Sequence, residues 1–205
     1  TLPCAVGLSL LAQPIISILF EHGKFTAYDV AMTAGPLQAY AFGLVFYSAI
    51  KVLQPAFYTI DKRFIPMMIS LGVIVLNLVL NYTTIFILGW DHTALAWATA
   101  IGLAANFTTL YLCMRKFAHG LETRTLTLTL AKLFTGTLFM AGVCIAARMT
   151  VLADWAEMSF ITQFTLLSLT IGTSAFVYFL VTQLLRVPEA GEFIGILSKR
   201  FRPKS

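Results

Sequence analysis

The sequence predicts an all-α polytopic membrane protein with six transmembrane helices, and three observations predict it. Charge is scarce: only 11% of the 205 residues are charged, whereas 59% are hydrophobic; an ordinary soluble domain carries about 25% charged residues. Apolar runs of roughly 20 residues follow one another along the chain, each long enough to cross ~30 Å of hydrocarbon. The Lys and Arg residues are sorted between alternate loops, as membrane topology demands. A net charge of +5 would suggest nucleic acid in a soluble chain. Here topology accounts for it, and no nucleic-acid partner is expected.

The first segment is Leu2–Phe20. It opens on Pro3 as though cut within a longer helix, so the chain is expected to be a fragment of a longer transporter-like protein. Pro14, after Gln13, is expected to kink this segment by removing a backbone donor. The loop Glu21–Asp29 follows, with Thr26 or Asp29 suited to cap the second helix. That helix covers about 30–59 and is closed by Asp61-Lys62-Arg63. The third covers about 64–88, with Pro66 tolerated in its first turn. A Gly89–His92 turn leads to the fourth, at about 93–114. After a polar loop, Arg115–Arg124, the fifth helix covers about 126–149. A short acidic loop, 150–158, precedes the sixth, at about 160–185. The tail, 186–205, has a breaker at Pro188. Phe193, Ile194, Ile196, Leu197 and Phe201 then form either an interfacial amphipathic turn beside basic residues or a stretch without regular structure.

Orientation follows from counting. With six alternating spans, the Asp61 loop, the Arg115 loop and the tail share one side and hold ten of the fourteen Lys and Arg residues. The opposite loops hold Lys24 and Arg148. The positive-inside rule puts the basic side, and with it the C-terminus, in the cytoplasm.

Polar groups inside the spans are the candidate functional residues, because an ionisable side chain in hydrocarbon is costly. On a helical projection Tyr40, Leu44, Tyr47, Lys51, Gln54 and Tyr58 fall on one face of the second helix. Lys51 either snorkels to the interface or lines a polar cavity beside an anionic ligand or a carboxylate. Asn77 and Asn81 stand four apart on the third helix, and Thr99, Gly102, Asn106 and Thr109 share a stripe on the fourth. The amides either bind helix to helix or, with Thr99, present oxygens to a hard cation such as sodium. Lys132 is expected to snorkel. Cys4, Cys113 and Cys144 are widely spaced packing residues with no zinc spacing. His22, His92 and His119 fall in predicted loops. No nucleophile–base pair, HExxH or phosphate-binding loop is present, so an enzyme is not expected.

The runs AQPIISILFEHGKFTAYD, YAFGLVFYSAIKVLQPAFYTIDKRFIP, NLVLN and TALAWATAIGLAANF resemble, in order, the MurJ (MviN) lipid II flippases of the MOP exporter superfamily. The resemblance implies the C-terminal part of a fourteen-helix transporter. Residues 1–114 would be C-lobe helices, the first truncated. Residues 115–185 would be two further helices forming a groove for the lipid tail, and 186–205 a basic cytoplasmic tail. It implies a multi-pass protein of the bacterial inner membrane, part of a machine that moves the undecaprenyl-pyrophosphate headgroup of lipid II across the bilayer by alternating access, for cell wall synthesis. The partners implied are lipid II, membrane lipids and the missing N-terminal part of the same protein, whose helices carry the family's essential cavity arginines. Lys51, with Tyr47, Gln54 and Tyr58, would lie on the substrate path. Asn77, Asn81 and Thr99 match positions that supply sodium oxygens in some family members, with Asn81 standing where a carboxylate can occur. Coupling would be to sodium or to membrane potential, with no other cofactor. Another MOP-type exporter, for polysaccharide lipids or drugs, and a non-transporting membrane scaffold are the competing readings.

Overall fold

A run of apolar residues hides its own backbone polarity only by coiling, and the computed structural model accordingly holds helices and connecting turns. It describes residues 1–90, 92–117, 123–153, 155 and 158–185, with 123–127 by backbone alone. The predicted tail, Asp91, His119, Asp154 and Glu157 lie outside the described residues. The helices are α1 (Leu2–Leu10), α2 (Ala12–Phe20), α3 (Ala27–Thr59), α4 (Phe64–Tyr82), α5 (His92–Phe117), α6 (Thr123–Met149) and α7 (Phe160–Leu184). Among the described residues, five helices are long and apolar enough to cross a membrane, and α1 with α2, bent by 68°, makes a sixth if the pair is one span. The protein is a multi-pass, all-α membrane protein.

Helix ends extend three residues beyond expectation at Ala27 of α3, Phe117 of α5 and Thr123 of α6, which puts Arg115, Lys116 and Arg124 in helices rather than in the expected loop. Three further differences have physical reasons. The first segment breaks at Leu11 rather than at Pro14, which sits inside α2. A proline ring crowds the carbonyl four residues earlier, which puts the disruption a turn upstream. The third helix does not run unbroken to Leu88: after Tyr82 it widens into a π-helical turn, Thr83–Ile87. There the Thr83 and Thr84 hydroxyls donate to the carbonyls of Val79 and Leu80, each at 2.8 Å, a back-bonding that loosens helices. His92 is not a loop residue; it begins α5.

Contacts divide the chain into two compact units, residues 3–121 and 122–205. In the first, α3 and α5 form the main pair, and α4 packs on α5. Thr26 and Asp29 start α3 together: the Asp29 carboxylate accepts from both the Thr26 N–H and the Thr26 hydroxyl at 2.8 Å, one side of a capping box. The helix then runs through Pro36 and Pro55 without interruption. Small residues let α3 and α5 close up. A Cβ on Gly43 would meet Leu103 Cδ1 at 3.1 Å and Ala100 Cα at 3.4 Å, and Ala39, Ala96 and Ala100 are buried along the same seam. Toward the basic loops the seam widens into a core of Ile50, Phe57, Leu110 and Met114. Lys62 Nζ lies 5.9 Å from the Phe117 ring centroid, so the Asp61-Lys62-Arg63 turn and the Arg115-Lys116 end of α5 share one end of the unit.

The second unit is an antiparallel hairpin. Gly136 brings α6 against Thr182 and Tyr178 of α7. Deeper along it Cys144 Sγ lies 3.3 Å from the Ser174 hydroxyl, which also reaches the Thr170 carbonyl at 2.5 Å. Phe134, Leu138, Phe139, Phe164, Leu169 and Phe176 are exposed on its outside, an apolar surface fit for lipid.

Candidate functional site

Helix α3 turns its small residues inward, and that fixes where its polar ones point. Ala39, Gly43, Ile50 and Phe57 are buried. One residue on, about 100° further round the helix, Tyr40, Leu44, Tyr47, Lys51 and Tyr58 are exposed and Gln54 is half-buried. The predicted stripe is therefore a real, open face of the first unit. Lys51 Nζ lies 5.2 Å from the centroid of the Tyr47 ring, a cation–π contact worth ~0.5–1 kcal/mol at an exposed site. Among the described residues no carboxylate forms an ion pair with it. The ammonium is held by an aromatic face and keeps its capacity to meet an anion.

The predicted cation oxygens are only partly gathered. Asn77 and Asn81 lie a turn apart on α4, and the Asn81 Nδ2 donates to Asn77 Oδ1 at 2.8 Å. Asn81 Oδ1 is buried without a partner. With Ile74 and Leu78 the two amides line an open groove of about 390 Å³. Thr99 is not part of that lining, and its hydroxyl donates to the Leu95 carbonyl at 3.0 Å. The remaining stripe residue on α5 with a polar interior role is Asn106, whose buried Oδ1 also lacks a partner. Between the two helices Gly102 sits against Asn77 Nδ2, 3.3 Å from where its Cβ would be. Among the described residues no three His, Cys, Asp or Glu side chains come together. A hard cation here would rely on amide oxygens.

One feature on this unit escaped the sequence pattern. Trp97, Phe42, Phe46, Phe107 and Tyr111 form an unbroken ring-to-ring chain with centroid separations of 5.9, 5.3, 6.0 and 6.1 Å. It passes from α5 to α3 and back to α5, so a single-helix projection cannot find it.

The family model for the lipid II flippase MurJ matches residues 1–166. The chain belongs to the MurJ family. It is 40% identical over 111 residues to a probable lipid II flippase MurJ of Buchnera aphidicola subsp. Schizaphis graminum, a match covering 54% of this chain and 21% of that protein. It is 36% identical over 110 residues to the probable flippase of Vibrio cholerae, covering 54% and 21%. To the lipid II flippase MurJ of Burkholderia cenocepacia it is 35% identical over 114 residues, covering 56% and 22%. The chain thus spans about a fifth of the length of these MurJ relatives. Membership of MurJ places it in a family of transporters rather than of enzymes.

Proposed function

We propose that this chain is part of a lipid II flippase of the bacterial inner membrane, with the exposed face of α3 as its share of the substrate path. The family match over residues 1–166 carries this reading. What supports the site is Lys51: a cation within a candidate span, on an open face, resting on Tyr47 and without an acidic partner among the described residues. A pyrophosphate headgroup needs a wet, basic cavity while its polyprenyl tail stays in lipid. Moving it asks for a succession of contacts exposed in turn to each side, with no covalent bond made or broken. Tyr47, Gln54 and Tyr58 would offer hydroxyl and amide groups along the same path. The N-terminal part of the protein would supply the rest of the positive charge.

In this reading the basic end of the first unit and the C-terminus face the cytoplasm, and the apolar outside of the α6–α7 hairpin provides the surface for the lipid tail. Sodium held by the amide oxygens of Asn77 and Asn81, without Thr99, or the membrane potential, would drive the cycle. The direct test is lipid II translocation by the full-length protein carrying Lys51→Ala. Losing a charged hydrogen-bond donor to the headgroup should slow transport about tenfold or more. Wild-type rates from a properly inserted variant would remove Lys51 from the path.

A further inference from the structure

A helix that runs through a proline leaves a carbonyl to be accounted for, because proline brings no N–H to the carbonyl four residues before it. In α3, Pro36 withholds the donor that Met32 would otherwise receive. The structure supplies one from another helix: His92 Nε2 lies 3.1 Å from the Met32 carbonyl oxygen. A carbonyl can only accept, so the proton of this bond sits on Nε2. The next residue makes the joint tight. The Thr93 side chain lies 3.1 Å from where a Cβ on Gly35 would be, so the first turn of α5 seats its Thr93 side chain directly on the bare backbone of α3. Both contacts lie within the first unit, at the end of the α3–α5 pair opposite Lys62 and Phe117.

We propose that His92 is a latch. It supplies from α5 the donor that Pro36 removes from α3, so α3 changes its bend at Pro36 only when His92 releases the Met32 carbonyl. Re-satisfying a proline-freed carbonyl from a neighbouring helix is a general device in membrane helices. Here it ties the bend of one helix to the seating of another. Gly35 contributes by letting the two approach, and Thr93 by filling the space that a larger residue on α3 would occupy. The inference stands on this geometry and is independent of the substrate proposed above.

The test is amide hydrogen exchange of segments 30–38 and 93–101 in the full-length protein reconstituted in lipid, with no transport readout involved. Removing the donor with His92→Leu should raise exchange in both segments about fivefold, the worth of one hydrogen bond. His92→Gln, which keeps a side-chain N–H, should stay within about twofold of wild type. Pro36→Ala returns the backbone N–H to α3, so in that background His92→Leu should change exchange by less than about twofold. Wild-type exchange in His92→Leu overturns the latch, as does an equal rise in the Leu and Gln variants. An undiminished His92→Leu effect in the Pro36→Ala background also overturns it. If Pro36→Ala does not insert, the contrast between Leu and Gln decides alone.

Discussion

The side-chain amide of Asn81 donates to Oδ1 of Asn77 at 2.8 Å, while its own Oδ1 stays buried without a partner. The bridge satisfies one carbonyl at the expense of another, and a buried acceptor left unsatisfied costs about 1–3 kcal/mol. The pair is therefore poised either as a helix–helix contact or as an unfinished oxygen site. Exchanging the amide for a carboxylate tells these apart. Asn81→Asp puts a formal negative charge beside Asn77, and hard cations favour carboxylate over neutral oxygen. Sodium should raise the melting temperature of Asn81→Asp more than that of the wild type, read in detergent at constant ionic strength. An equal response in the two proteins removes these residues from cation binding.

Gly43 marks a close approach of α3 to the backbone of α5. Of the atoms a Cβ would meet there, Leu103 Cδ1 at 3.1 Å is the end of a side chain and can swing, but Ala100 Cα at 3.4 Å is backbone and cannot. Gly43→Ala should be tolerated at small cost. Gly43→Val should force the helices apart and cost about 1–3 kcal/mol, the usual range for overpacking. Denaturant titration of the reconstituted protein measures both, and a Val variant as stable as the Ala one would contradict the close approach.

Asp61 ends α3 in the left-handed region, at φ 56°, and the turn is closed by the Lys62 N–H donating to the Phe57 carbonyl at 2.9 Å. A side chain is costly in that conformation and glycine is not. Asp61→Gly should therefore hold or raise stability by up to ~1 kcal/mol, whereas Asp61→Val should lower it by about 1–2 kcal/mol. A thermal melt of each variant checks the order; Val above Gly would mean that the left-handed backbone at this position does not set the turn's stability.

In the hairpin, Ser174 links α7 to Cys144 of α6 and to its own Thr170 carbonyl. Hydrogen bonds between membrane helices average only ~0.6 kcal/mol, so Ser174→Ala should be nearly silent. Ser174→Leu should cost about 1–3 kcal/mol through bulk. Comparing unfolding of the two variants separates polar linkage from packing, and a large loss in Ala alone would reverse that order.

These cases also show what could be read without coordinates. The span of α7 was legible to within a residue because no charged residue and no proline interrupts it. The face carrying Tyr40, Tyr47 and Lys51 was legible because helical spacing alone decides which residues share a side. The break at Leu11 was not, since its cause lies three residues downstream at Pro14 and its neighbours are uniformly apolar. The π-helical turn at Thr83–Ile87 was equally hidden, because two threonines in an apolar run read as helix until their hydroxyls are seen bonding backwards. Asn77 and Asn81 could be paired by spacing, but whether Thr99 shares their groove depends on how α4 and α5 pack. His92 looked like a turn residue. The signal for its bond was Pro36, which announces an unclaimed carbonyl at Met32 without saying which helix will answer it.

The seam between α3 and α5 has a mechanical consequence. Ala39, Gly43, Ala96 and Ala100 have no side-chain rotamers to exchange. A joint of long flexible side chains takes up a displacement by repacking and dissipates it. This one has no such slack, and its stiffness comes from backbones lying nearly in contact. A push at the His92 end therefore passes between α3 and α5 along this stretch by backbone contact, until the seam widens at Ile50, Phe57, Leu110 and Met114.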